Sequence, residues 1–425
     1  MNYFKGKPKT VNLGQGIAIV LHAIRGLVGI FFLATGLSGL AAAADPMTQA
    51  VQGPITLAHA IEISLANNPE LAAARYAVNE DGAERDIAVG ARLPEVRLQG
   101  GYSFYREPRL IKPRRPGTSE VLSFTDELLY GDFVLTMPLF TGGRLRNRVV
   151  ATELITQARW EQLLYNRTEL VFNVSSVFYS MLGQREVINS LVYSRRALEQ
   201  HHRKTRELLE AQKAARVDLL RTEVRLADID QQQIRERNRL KIQGYLLASL
   251  LGLQGNNEPL EIEGELTLTD VVVTRNEALA IAFRNRQDYQ SLRSEVGAQQ
   301  KLVDIARGER LPDLWLRGSY GDRWATDSSK HNEVGELGML VDVSLFEGGR
   351  IEARIRREAN RLGIQREALR KLELQIQLEV ETANSNIEST HARVAVTQKA
   401  IEQAKESLRI EIEKYDLGKG AIIDV

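Results

Sequence analysis

The chain has 425 residues, and 56 Lys plus Arg nearly balance 55 Asp plus Glu, for a formal charge of +1. That balance gives no electrostatic footing for nucleic acid or for a strongly anionic partner. The absence of cysteine excludes disulfides, thiolate metal sites, a cysteine nucleophile and lipidation on a thiol, and it fits a protein that passes through an oxidising compartment. Residues 1–44 read as a signal peptide. Lys5, Lys7, Lys9 and Arg25 are followed by the apolar run GLVGIFFLATGLSGLAAAADP, and Ala42 and Ala44 supply the small-x-small pattern of a cleavage site, so the mature chain is expected to start near Asp45. The glycines and the alanine-rich end weigh against a retained membrane anchor. No later segment reaches about 18 uninterrupted apolar residues, the length a helical span needs.

The mature sequence is written twice. PLFTGGR at 138–144 returns as SLFEGGR at 344–350, an offset of 206 from Gly142 to Gly348. ARLPEVRLQGGY at 91–102 returns as ERLPDLWLRGSY at 309–320, an offset of 218 from Pro94 to Pro312 that holds back to Thr56 and Thr274. The two offsets differ because the first copy has about 12 more residues between the anchors, in and around REPRLIKPRRPG, whose prolines suggest a loop. The 206 offset then continues to Val425, so that LEAQKAARVDL at 209–219 lies over YDLGKGAIIDV at 415–425. The first copy runs on to LLASLLGL, and the second has no counterpart of that stretch. The expected organisation is therefore a first repeat at 45–253, a linker at 254–273, and a second repeat at 274–425 that lacks a last helix. A repeat of about 200 residues is too long for a solenoid unit.

Each copy reads as helix, strand, loop, strand, long helix. Residues 56–90 and 274–308 have helical spacing, with Thr56 and Thr274 as N-caps and Leu57, Ile61 and Leu65 on one face. Pro94 and Pro312 mark strand starts. EVRLQGGYSFY places Val96, Leu98, Tyr102 and Phe104 in alternation with polar residues, and ELGMLVDVSLF does the same with Leu337, Met339, Val341, Val343 and Leu345, so both are expected to be two-faced strands. From 145 to 252 there is no proline, and none follows Pro312. Prolines are otherwise expected only in the leader, in loops and at element ends. Runs of about 65 helical residues are expected, each near 100 Å at 1.5 Å per residue. Gly142, Gly143 and Gly348, Gly349 fall where a strand hands over to a long helix, and paired glycines permit a tight change of direction there. Arg144 and Arg350 then begin the helix or reach toward head groups.

The fold class thus reads as mainly α, with strands that suit transmembrane β. A strand with one apolar face in an exported protein suits a membrane barrel. Four strands cannot close one, and an open edge in lipid leaves backbone groups unpaired at several kcal/mol each. Either the sheet is soluble, or several chains share one barrel; two chains would give eight strands and three would give twelve, and the strand count does not choose between them.

The duplicated layout, RLP before a strand, LFxGGR after one, and the YxxGxxxxxDV ending together resemble the TolC-type outer-membrane efflux family, from about Thr56 to Val425. The resemblance implies a homotrimer in the outer membrane, with a twelve-stranded β-barrel and a long periplasmic α-helical barrel. It also implies a periplasmic adaptor and an inner-membrane pump or secretion ATPase as partners, in efflux or type I secretion. In such proteins acidic side chains and a tyrosine ring the periplasmic constriction. Tyr415 matches the motif tyrosine, Gly418 the glycine and Asp424 the first aspartate, while Gly420 stands where an arginine is expected. Asp218 is the first-copy counterpart of Asp424.

Nothing in the sequence assembles an acid, a base and a nucleophile. Nucleotide-binding, zinc-protease and hydrolase motifs are missing, and the reading is of a non-enzyme without cofactor, metal or nucleic acid. Adjacent His201 and His202 point about 100° apart on a helix and make a poor metal pair. Trp160, Trp315 and Trp324 suit packing or a membrane interface. The alternative to an export duct is a periplasmic coiled-coil adaptor or scaffold, against which the two-faced strand pairs count.

Overall fold

A computed structural model describes residues 53–110, 124–253, 259–268, 274–325 and 331–416. The expected leader and positions Gly418, Gly420 and Asp424 lie outside the described residues. The first copy contains α1 (Leu57–Asn67), α2 (Pro69–Gly90), β1 (Glu95–Leu110), β2 (Phe124–Thr141), α3 (Arg144–Glu210) and α4 (Arg216–Leu250). The second contains α5 (Arg275–Asn285), α6 (Gln287–Gly308), β3 (Asp313–Ala325), β4 (His331–Asp342) and α7 (Arg350–Asp416). Helix lengths repeat: α1 and α5 have 11 residues, α2 and α6 have 22, α3 and α7 have 67.

One compact unit collects the helices. Its core sits where α1, α3 and α4 meet. Phe178, Met181 and Leu182 of α3 pack there with Ala60 and Leu71, with Leu247, Ala248 and Leu251 at the end of α4, and with Ile55 and Leu260, which lie in flanking segments. Each of the Phe, Met, Leu and Ile side chains contributes about 1.5–3 kcal/mol on removal from water. The segment at 55 pairs with 262 in a parallel bridge. Arg185 fastens that segment by donating to the carbonyl oxygens of Ile262 at 3.2 Å and Gly264 at 2.5 Å.

The first helical stretch breaks where the sequence reading ran it on. Residues 56–90 form two helices, because Pro69 disfavours a helical Asn68 and is itself suited to a first helical position. Asn68 then caps α2, its Oδ1 accepting from the Leu71 N–H at 3.1 Å, while its Nδ2 donates to Leu250 O at 3.0 Å. Thr56 caps α1 through Oγ1, which accepts from His59 N–H at 3.5 Å; Thr274 makes no such cap bond to α5. The stretch from 145 to 252 divides into α3 and α4, turning between Glu210 and Arg216 with no proline or glycine to announce it, and the 67 residues of α3 match the expected run of about 65. α3 packs along α2, α4 and α6, and α7 along α5 and α6.

The second unit is the sheet, formed by Ala91–Gly142 and Arg310–Leu345. Its order is β1-β2-β3-β4, antiparallel throughout. Two expectations are corrected here. Prolines do enter the strands: Pro108 lies in β1 and Pro138 in β2, and at each the pairing shifts, between Phe104 and Arg109 and between Pro138 and Phe140, because proline has no N–H to give the ladder. Arg106–Leu110, read as loop, are therefore strand, and 111–117 lie outside the described residues. The strand expected to reach Leu345 ends at Asp342 instead. β3 begins at Asp313, opposite Asp342, so Val343–Leu345 have no neighbouring strand to pair with.

Candidate functional site

Directly opposed residues of an antiparallel sheet share a face, so the register sorts the side chains. On one face β1 places Val96, Leu98, Tyr102 and Phe104, β2 Phe133 and Leu135, β3 Leu316, Tyr320 and Trp324, and β4 Leu337, Met339 and Val341. Leu337 and Met339 are 74% and 72% exposed, far more than a soluble sheet face leaves bare. The opposite face carries Arg97, Gln99, Asp132, Thr136, Arg317, Ser319, Arg323 and Glu336.

On the polar face Arg323 grips Asp132. Its Nη2 donates to Oδ2 at 2.9 Å, its Nη1 donates to Oδ1, and the guanidinium lies over the Tyr130 ring, 5.2 Å from the centroid. Gly321, opposite Asp132, leaves the space this carboxylate occupies; a Cβ there would come within 2.1 Å of Asp132 Oδ1. The sequence reading did not single out these residues. Their signal was Asp132 inside YGDFV and Arg323 inside GDRWA, opposite charges within two strands.

The paired glycines lie at the start of the long helices with left-handed backbones: Gly142 and Gly143 have φ 59° and 76°, Gly348 and Gly349 62° and 77°. Two successive left-handed residues are accessible to glycine at no steric cost. Arg144 and Arg350 are the first residues of α3 and α7, and Arg350 Nε donates to Glu347 O at 3.2 Å. Pro94 and Pro312 directly precede β1 and β3.

Of the constriction candidates, Asp218 lies in the first turn of α4, where the helix dipole favours a carboxylate, 3.8 Å from Arg221 Nη1. Tyr415 belongs to the last turn of α7. Gly418 is outside the described residues, but its first-copy counterpart is Gln212, whose φ is 58°. There Gln212 N–H donates to Leu209 O at 2.9 Å and Lys213 N–H to Leu208 O at 2.7 Å, the bonding of a left-handed helix stop. His202 Nε2 lies 3.3 Å from Glu223 of α4, bridging the two helices instead of standing free. Burial, together with Lys204 and His202, pushes the His201 imidazole pKa down.

A further polar cluster went unread. Arg286, between α5 and α6, donates from Nη2 to Asp288 at 2.7 Å and from Nη1 to Glu379 of α7, and Tyr289 OH donates to Glu373 at 3.1 Å. The Arg286 guanidinium in turn holds the Glu379 carboxyl below its usual range. Among the described residues no group of His, Asp and Glu is arranged to hold a metal, and no helix is long and apolar enough to cross a membrane.

This duplicated arrangement is matched by the family model for outer membrane efflux proteins over residues 60–253 and 278–425. The chain belongs to the outer membrane efflux protein family. It is 22% identical over 372 residues to the outer membrane efflux protein BepC of Brucella suis, a match spanning 87% of this chain and 78% of that protein. Its fold is that of the outer membrane protein VceC of Vibrio cholerae, with a TM-score of 0.74 at 18% identity over 87% of this chain and 88% of that one. It is also that of the Campylobacter jejuni CmeC outer membrane channel, with a TM-score of 0.72 at 17% identity over 89% and 84% of the two chains. The family places the protein in the outer membrane, and it is a family of transport proteins, not an enzyme family. The adaptor alternative has no support from these relatives.

Proposed function

We propose that the chain is the outer-membrane duct of a tripartite efflux or type I secretion system, conducting cargo passively while an inner-membrane pump supplies the energy. The observation that carries this reading is the four-stranded sheet with one exposed apolar face, one polar face and two unpaired edges, in a chain whose helices reach 67 residues. Lipid takes the apolar face and the aqueous lumen takes the polar one. A homotrimer sharing twelve strands leaves no edge in lipid. The repeats then span 45–253 and 274–425 around a linker at 254–273, behind a cleaved leader at 1–44.

In this reading a periplasmic adaptor binds the helices, and the constriction is formed at the helix ends by Tyr415, Gly418 and Asp424, with Asp218 at the matching place in the first copy. The test is conductance: the oligomer extracted from outer membranes in mild detergent and placed in a planar bilayer is expected to give discrete channel steps and to restore export to cells lacking their own efflux duct. A protein that stays monomeric in the periplasm and gives no conductance would overturn the proposal.

A further inference from the structure

A charged side chain standing in the water of a channel attracts ions of one sign and repels the other. On the polar face of this sheet one level is built to avoid that. Two adjacent rows cross all four strands there: Gln99, Asp132, Gly321 and Val334, then Gly101, Tyr130, Arg323 and Asn332. They hold one acid and one base, and the two are bonded to each other through both carboxylate oxygens.

The side chains of this level also lie down. Asp132 is 9% exposed, whereas the paired Glu95 and Arg97 of the same face keep side chains that are 53% and 61% exposed. A glycine on each flank is the cause. Gly321 of β3, directly opposite Asp132, leaves the place that the carboxylate occupies. Gly101 of β1, directly opposite Tyr130, does the same for the phenol, since a Cβ there would stand 2.8 Å from the ring and its hydroxyl. The Arg323 guanidinium joins the two, bonded to Asp132 and 5.2 Å from the Tyr130 ring centroid. None of the five is repeated in the other copy. Their images at offsets of 218 and 206 are Ser319 for Gly101, Glu336 for Tyr130, Gly338 for Asp132, Ser103 for Gly321 and Tyr105 for Arg323. The duplication alone therefore does not account for the set.

We propose that Tyr130, Asp132 and Arg323, laid flat over Gly101 and Gly321, form a charge-neutral level of the conduit wall that holds neither anions nor cations, so that cargo of either charge passes it. The proposal rests on the reading that the polar face lines the aqueous lumen, and it adds which residues set charge selectivity there. Arg323 is the specificity-determining residue. It masks Asp132, and without it each copy presents a bare carboxylate at a level that has no other charge.

Gln99 is exposed and directly opposes Asp132 from the neighbouring strand. The chain has no cysteine, so the thiol of Q99C is the only one present. The experiment is modification of that thiol in outer membranes by two membrane-impermeant methanethiosulfonates, one carrying a trimethylammonium and one a sulfonate, read as the mass gained by the purified chain. The ratio of the two rates is divided by the same ratio for free 2-mercaptoethanol. For Q99C this quotient is expected to lie within about twofold of one, because no net charge is near. A bare unit charge one strand away, screened at physiological salt, moves it by about threefold. Adding R323Q to Q99C is therefore expected to favour the cationic reagent, adding D132N the sulfonate, and adding both neither.

Native mass of each oligomer is measured alongside. The Q99C quotient needs no broken pair, so it decides the matter where a charge variant fails to assemble. A Q99C quotient beyond about twofold from one would overturn the neutral level and leave the lumen standing. So would an unchanged quotient on adding R323Q to an intact oligomer. A Q99C thiol unreactive toward both reagents in an assembled oligomer would overturn the lumen reading itself.

Discussion

Gln212 holds φ at 58°, a left-handed value that costs a side chain with a Cβ about 1–2 kcal/mol. It does so because α3 must stop there, with the N–H groups of Gln212 and Lys213 taken by Leu209 and Leu208. In the second copy the same place is Gly418, the residue most suited to end a helix in this way. Substituting Gln212→Gly is therefore expected to stabilise the turn between α3 and α4 by about 1 kcal/mol, less the greater freedom glycine has when unfolded. Guanidinium unfolding followed by helix signal measures it, and a lower midpoint for the variant would contradict the strain argument.

The two 67-residue helices are alike in length and unlike in burial, and the sequence explains why. Phe178, Met181 and Leu182 of α3 meet the end of α4, whereas the same places on α7 are Asn384, Ile387 and Glu388. Met181 is 1% exposed and Ile387 is 53% exposed. Met181→Ala is expected to cost about 2–5 kcal/mol as a core cavity, and Ile387→Ala about 0.5 kcal/mol or less in the isolated chain. Thermal melts of both variants in detergent check the contrast; equal losses would mean that Ile387 is as well packed as Met181. Much of this level was legible beforehand. The offsets of 206 and 218 carried helix lengths from one copy to the other, and the alternation in EVRLQGGYSFY and ELGML gave the two-faced strands. What escaped depends on partners distant in sequence. β4 ends where β3 begins, Pro108 and Pro138 are tolerated at breaks in the ladder, and Asp132 and Arg323 meet across 191 residues. Local pattern carries none of that. It also missed the stop at Gln212, since glutamine is not a turn signal.

At the scale of the whole molecule the unresolved demand is the pair of sheet edges. Among the described residues β2 and β3 have neighbouring strands on both sides, while β1 and β4 each have one. In lipid an unpaired backbone group costs several kcal/mol, so a row of them along a 12- or 16-residue strand exceeds the whole stability of an ordinary domain. A single chain embedded by its apolar face is therefore untenable, and in the proposed shared barrel the sheet acquires its last ladder when copies meet. Hydrogen exchange separates the two kinds of strand. In the intact oligomer the amides of all four strands are expected to be protected alike. When the oligomer is dissociated in harsher detergent short of unfolding, the outward-facing amides of β1 and β4 are expected to exchange at least tenfold faster, while those shared between β2 and β3 stay slow. Mass spectrometry of peptic fragments reads this strand by strand. Unchanged protection at β1 and β4 on dissociation would show that those edges were never what held the copies together, and uniform loss across all four would show that the sheet has no existence apart from the assembly.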